Sequence, residues 1–179
     1  MTEIIETEFK NCFVINLKEH NDIRGSFTKV FEEDTFKKNG LETQLSEIYY
    51  TSSNKNVIRG MHFQSPPKDH AKLVHCIYGE VLDVIVDLRK ESETYRRSLS
   101  FHLKGSNKQA LYIPKGMAHG FLSLSDNSTL IYSVTSTHDV EHDTGILWSS
   151  IDFNWPIQKP IVSQRDQNFK SISEFDSPF

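Results

Sequence analysis

Two cysteines, Cys12 and Cys76, are too few in 179 residues to form a disulfide framework. Reduced thiols and a cytoplasmic protein are the expectation. No apolar run approaches the roughly 20 residues of a membrane-spanning helix, so no membrane partner is expected. The acidic stretch from Met1 to Asn11 also lacks the charged-then-apolar layout of a signal peptide. A dense basic block with interleaved aromatics is missing as well, and the formal charge is -4, which argues against a nucleic-acid surface. No His-x-His pair occurs, and His70 and His75 do not repair that spacing, so no barrel metal site is expected. A phosphate-cradling glycine loop is absent too.

What remains is an ordinary globular composition, 37% apolar and 25% charged, long enough for one domain spanning 1–179 with a real core. Strand signals dominate from about residue 10 to 150. They include Phe13–Leu17, Glu80–Leu88, Ser98–Leu103, Ala110–Ile113, Phe121–Leu124 and Thr129–Thr135. In Glu80–Leu88 the apolar Leu82, Val84, Val86 and Leu88 share one side, and Asp83 and Asp87 share the other. Turn signals such as Lys104–Asn107 and Pro114–Gly116 separate the runs. Short strands at this spacing predict an all-β sandwich or barrel. Helical signal is thin: Glu32–Lys38, a turn near Glu141–Gly145, and Ser171–Phe175, within a looser C-terminal tail.

The chemistry-bearing residues concentrate between Val57 and Leu88. A histidine becomes an effective base when a carboxylate holds its other ring nitrogen, and His62 is the candidate. Arg59 stands three positions earlier, which in a flat strand puts it on the opposite face. A bulge at the intervening Gly60 would bring both into one pocket. Lys72 shares strand parity with Val74 and Cys76, so it points inward, where a lysine needs an anion. Arg59 offers a planar fork for phosphate, and Arg24 in the turn Asp22–Gly25 is a further phosphate or base contact. Tyr132 lies on the face of Leu130 and Val134, either as core or as a phenol able to deliver a proton. His119 follows a turn and either touches substrate oxygen or caps that turn. Taken singly, each of these is an ordinary core or surface group.

Together they form an ordered set. Asp22-Ile23-Arg24-Gly25-Ser26-Phe27, Arg59-Gly60-Met61-His62-Phe63, Ala71-Lys72-Leu73-Val74, Gly79 to Asp87, Gly116 to Phe121, Tyr132, Trp155-Pro156 and Ser163-Gln164-Arg165-Asp166 follow in sequence. Over nearly the whole chain this resembles the dTDP-4-dehydrorhamnose 3,5-epimerase family of cupins. The resemblance implies a cupin-type jelly roll of two antiparallel sheets forming a barrel, with a few short helices, as a homodimer without metal or organic cofactor. It implies a nucleoside-diphosphate 4-keto sugar as partner and a role in surface polysaccharide biosynthesis. It further implies that His62 is the base, paired with Asp166, that Tyr132 is the acid, and that Lys72 steadies the enolate at the C4 oxygen. Arg24, Arg59, His119 and Arg165 would serve the diphosphate and nucleoside, with Phe27 and Thr51 as further contacts.

Departures from the family pattern sharpen the substrate question. Glu47 and Tyr49 stand where the family usually has Gln and Asn, Lys29 replaces an acidic residue, and His138 replaces a second tyrosine. A carboxylate at 47 can accept from the N1–H and N2–H₂ of guanine, which thymine cannot offer. A GDP-linked sugar, including a 4-keto-heptose, is therefore an alternative to the dTDP sugar, and inversion at C3 alone an alternative to C3 and C5. The rivals are a ketoisomerase on the same fold, a non-catalytic sugar-nucleotide-binding cupin, and a metallo-cupin oxygenase.

Overall fold

The alternating run from Glu80 is built as an interior strand of a sheet in the computed structural model, which describes residues 3–179. In chain order the first elements are β1 (Glu3–Glu6), β2 (Phe13–Asn16), β3 (Glu19–Asp22), β4 (Gly25–Thr28) and the helix α1 (Glu33–Lys38). Next come β5 (Glu47–Ser53), β6 (Ile58–Gln64), β7 (Lys72–Tyr78), β8 (Glu80–Asp87) and β9 (Ser98–Lys104). The chain continues through β10 (Gln109–Ile113), β11 (Met117–Ser123), β12 (Ser128–Val134) and β13 (Asp143–Gly145) to α2 (Gln164–Gln167). One sheet runs β1-β2-β10-β7-β12-β5 and the other β13-β6-β11-β8-β9, all pairs antiparallel, while β3 and β4 form a separate hairpin. The two large sheets pack as the expected all-β jelly roll.

Inward-pointing residues of both sheets, among them Val74, Val81, Ile85, Leu111, Phe121 and Leu130, form the core between them. Burial of this apolar surface is the main drive for closing the two layers. A second cluster backs the five-stranded sheet: Val84, Val86 and Leu88 meet Phe153, Trp155, Ile172, Phe175 and Phe179 from the C-terminal segment. The tail is therefore packed rather than loose, and the buried Ser177 hydroxyl donates to the Leu88 carbonyl. Because β8 is covered on both faces, Asp83 and Asp87 are fully buried. Asp87 is satisfied locally by Arg89, Ser92 and Thr94.

Several local expectations change. The turn expected near Glu141–Gly145 is present at Glu141 and His142, closed by the Asp143 N–H on the Asp139 carbonyl, but it ends in the strand β13, which adds to the edge of β6. Ser171–Phe175 forms turns, whereas helix appears at 164–167 and a 3-10 turn at Trp148–Ser150. The strand expected at Phe121–Leu124 begins earlier, at Met117, and so contains His119.

The bulge in β6 is present. His62 pairs with His119 and Arg59 with Phe121, so β6 spends one residue more than β11 between these pairs. Gly60 has φ +145, and a Cβ there would lie 2.6 Å from the Gly120 Cα. A side chain at Gly120 would in turn meet the Met61 sulfur at 2.6 Å. Glycine at both positions is what lets the kinked strand lie against its neighbour.

Candidate active site

The kink turns Arg59 and His62 to the same side. Both line a cavity of about 440 Å³ between the sheets. Glu47, Tyr49 and Thr51 reach it from β5, Lys72 from β7, His119 from β11 and Tyr132 from β12. His138, Asp143 and Arg165 close its far wall. His62 and Tyr132 thus enter from opposite sheets. The volume lies in the range of small-ligand pockets.

His62 Nε2 lies 2.8 Å from Asp166 Oδ1. The other carboxylate oxygen accepts from the Gly60 N–H at 3.2 Å, and the Asp166 N–H donates to the Ser163 hydroxyl, which caps α2. Burial alone would raise the Asp166 carboxyl, but the hydrogen bonds from His62, Gly60 and Ser163 hold it below the usual range. Nδ1 of His62 makes no hydrogen bond among the described residues, and the ring edge rests on Phe169 at 5.8 Å. This is the geometry of a base whose imidazolium form is stabilised from behind.

Lys72 is buried, and its Nζ donates across the sheets to the His62 carbonyl at 3.0 Å. Burial pushes the ammonium down to about 8, with Asp143 and Asp83 opposing. A cation held in a dry wall without a salt bridge is poised for a ligand's negative charge. Tyr132 is also buried, and burial holds its phenol well above the ordinary value, so it stays protonated at neutral pH. Its ring stacks on Tyr49 and meets the edge of His119. The buried Thr51 hydroxyl nearby has no partner of ordinary hydrogen-bond geometry.

His119 is held by a residue that sequence reasoning left without a role. Its Nε2 lies 2.8 Å from Asp83 Oδ2 on the adjacent strand β8, and both side chains are buried. It is therefore a strand residue fixed from below rather than a turn cap. Burial raises the Asp83 carboxyl, against the opposing pull of His119 and Lys72. One signal could have flagged Asp83: it alternates with Val81 and Ile85, so its own face is apolar and the charge needs a partner. Asp143 was missed too; its Oδ2 forms an ion pair with Arg165 at 2.8 Å, with His138 Nδ1 at 4.0 Å. Arg165 also lies over the Phe169 ring. Gln64, another missed residue, ties the 136–139 turn to the cavity wall by donating to Thr137 O and accepting from Asp139 N–H.

Arg59 donates to the Ser53 hydroxyl at 3.0 Å, which aims its guanidinium along the cavity wall. Glu47 Oε1 accepts from the His138 N–H at 3.0 Å. Three of the expected contacts are not brought to this cavity. Arg24 and Phe27 stand on the β3–β4 hairpin, where Arg24 pairs with Asp22 and Phe27 is 61% exposed. Lys29, just beyond it, pairs with Glu32. Among the described residues no group of three or more His, Cys, Asp or Glu is placed to hold a metal, and no helix is long and apolar enough to cross a membrane.

The sequence profile of the dTDP-4-dehydrorhamnose 3,5-epimerase family matches residues 6–174. A dTDP-4-dehydrorhamnose 3,5-epimerase of Shigella flexneri is 36% identical over 176 residues, covering 97% of each chain. Among solved structures, the Bacillus anthracis enzyme with TDP and pyrophosphate bound superposes with a TM-score of 0.93 at 32% identity, covering 96% of this chain and all of that one. The Legionella pneumophila 3,5-epimerase in complex with dTDP-4-keto-L-rhamnose gives 0.93 at 31% identity, covering 98% of this chain and 95% of that one.

Proposed function

The chain belongs to the dTDP-4-dehydrorhamnose 3,5-epimerase family and is an epimerase of nucleotide-sugar biosynthesis, and we propose that it inverts C3, C5 or both of a nucleoside-diphosphate 4-keto-6-deoxy sugar by proton transfer between His62 and Tyr132. The observation that carries the mechanism is the pairing of His62 with Asp166 in the same cavity that a protonated Tyr132 enters from the opposite sheet.

The keto group at C4 acidifies the neighbouring C–H bonds. His62 removes a proton, and Asp166 stabilises the imidazolium that forms. The enolate oxygen faces the Lys72 ammonium, whose charge counts for more in a buried wall than in water. Tyr132 returns a proton to the opposite ring face, which inverts the centre. Arg59, His119 and Arg165 would bind the diphosphate and nucleoside. His138, in place of a second phenol, favours inversion at C3 alone.

The reading of the nucleobase as guanine rests on Glu47. With Oε1 engaged by the His138 N–H, Oε2 is left to accept from a ligand donor, and guanine supplies such donors. The ligands of the two solved relatives are instead thymidine nucleotides. Binding measured with GDP and dTDP decides: clear preference for dTDP ends the guanine assignment.

A homodimer is part of the same proposal. Arg24, Phe27 and Lys29 lie outside their own cavity, and a second copy would let the hairpin deliver them to a bound nucleotide. The edge strand β5 exposes Ile48 and Tyr50, and β7 exposes Ile77 and Tyr78, an apolar surface suited to a partner.

Incubation in deuterated water with GDP- and dTDP-linked 4-keto-6-deoxy sugars tests the reaction. Label entering C3 or C5 with inversion and an unmoved carbonyl is the expected result. A carbonyl shifted to C3 would mean a ketoisomerase, and no exchange a binding protein. Tyr132→Phe should keep hydrogen wash-out and lose the inverted product.

A further inference from the structure

We propose that Tyr49 is a positioning residue for the acid: its ring, stacked flat on Tyr132, holds the phenol at the angle from which it protonates the enolate. This rests on the acid role assigned to Tyr132 above. Tyr49 and Tyr132 are direct partners across β5 and β12 and enter the cavity side by side. Their centroids are 4.9 Å apart and their planes 13° from parallel. On another side the His119 ring meets Tyr132 at 5.9 Å and 64°.

The Thr51 hydroxyl lies beside the phenol and opposes the effect of burial on it, but completes no hydrogen bond of ordinary geometry, so ring packing shares in orienting Tyr132. His119 is itself fixed by Asp83, which leaves Tyr49 as the second jaw of an aromatic clamp. A flat face against a flat face restricts rotation of the ring in a way an aliphatic side chain of similar bulk does not. Tyr49 keeps 42% of its surface exposed, yet the partial burial of its phenol, with Asp143 and Glu47 adding to it, pushes the group up to about 12, so it stays neutral beside Tyr132. The departure at position 49 from the usual Asn therefore has a structural meaning: this chain replaces a polar contact with a ring that sets its acid.

The test separates the two halves of the reaction. Wild type, Tyr49→Phe, Tyr49→Leu and Tyr49→Ala are incubated with a GDP- or dTDP-linked 4-keto-6-deoxy sugar in deuterated water. Hydrogen wash-out and inverted product are read in the same samples. Tyr49→Phe is expected to keep the inverted product within about threefold of wild type, because the ring is retained. Tyr49→Leu and Tyr49→Ala are expected to keep wash-out within about threefold and lose inverted product by tenfold or more, since small misplacements of a reacting group cost on the order of 10² in rate. The leucine variant guards against a folding defect in the alanine variant, and retained nucleotide binding reports an intact barrel. Equal losses of wash-out and product would make Tyr49 a binding wall, and no loss would make it a bystander. A loss in Tyr49→Phe as large as in Tyr49→Leu would assign the hydroxyl rather than the ring; each of these overturns the proposal. Absence of exchange in the wild type would instead sink the acid–base reading on which it stands.

Discussion

The molecule contains two histidine–carboxylate pairs of the same length, 2.8 Å, in the same cavity wall, and they differ in nearly everything else. His62–Asp166 joins residues 104 positions apart, and the His62 side chain is 30% exposed. His119–Asp83 joins neighbouring strands and is sealed, with side-chain exposures of 4% and 0%. Asp166 is satisfied by a backbone N–H and a helix cap, and its carboxyl lies below the usual range. Asp83 has one buried oxygen without a partner, and its carboxyl lies above it. In the reaction proposed above, His62–Asp166 gains and loses a proton each turnover, which needs an open ring nitrogen and a carboxylate that stays ionised. A pair that only holds a ring in place needs neither. The difference lies in the environment of the carboxylate, not in the hydrogen bond.

The largest expected effects break the first pair. His62→Gln should abolish hydrogen wash-out together with product, a loss of roughly 10²–10⁴ in rate. Asp166→Asn keeps the shape but cannot stabilise an imidazolium, and should fall in the same range. Solvent-exchange rates at C3 and C5 check both. If Asp166→Asn retains wild-type exchange, the carboxylate only positions His62.

How far the sequence carried this comparison depends on the length of the contact. The all-β sandwich or barrel followed from apolar runs and turn residues of short range, its jelly-roll form from the family resemblance, and the β6 bulge from a single glycine between Arg59 and His62. Tyr132 and Lys72 followed from strand parity. Asp83 is one of two carboxylates alternating with apolar residues and stands on the face opposite Leu82 and Val84; alternation alone does not reveal that this face, too, is covered. The His62–Asp166 contact has no local signal, because it is made when the tail folds back over β6; only the family resemblance supplied it. For the same reason the tail's packing was illegible: Phe175 and Phe179 carry no periodicity until they meet Phe63. Arg24 and Phe27 matched a motif, yet on their own chain they stand on the hairpin, away from the cavity of His62.

Lys72 stands between the two pairs and sharpens the comparison through pH. A lysine held near 8 instead of 10.5 destabilises the free fold while it is charged. For such a group the cost is fully present below the folded value. It fades as pH rises from about 8 to 10.5, where the unfolded chain also loses its proton. At about 1.4 kcal/mol per pH unit the cost is about 3 kcal/mol. Lys72→Met should therefore raise the thermal midpoint at pH 7, with the gain shrinking above pH 8. Activity should fall by roughly 10²–10³ as an enolate-stabilising charge is lost. In the wild type, kcat should decline as pH rises through the neighbourhood of 8, and Lys72→Met should lose that limb. A variant that is active and no more stable than wild type would show that the ammonium is already paired.

Asp83→Asn is the smallest expected change and the sharpest test of the contrast, since an amide oxygen can still accept from His119. Turnover should drop by tenfold or less, because His119 need not change its protonation state during the reaction. Stability should move in the opposite sense from Asp166→Asn. Asp83 lies above its ordinary value of 3.8, so its ionised form is disfavoured in the fold at neutral pH, and the neutral amide removes that cost. Asp166 lies below 3.8, so its ionised form contributes stability above the carboxylate range, lost as pH falls through the folded value. Its amide forfeits that contribution. Thermal midpoints at pH 7 should therefore rise for Asp83→Asn and fall for Asp166→Asn, by about 2–4 °C for each kcal/mol in a chain of this size. If Asp83→Asn loses as much rate as Asp166→Asn, the contrast between the two pairs breaks, because the sealed pair then matters to turnover as much as the open one.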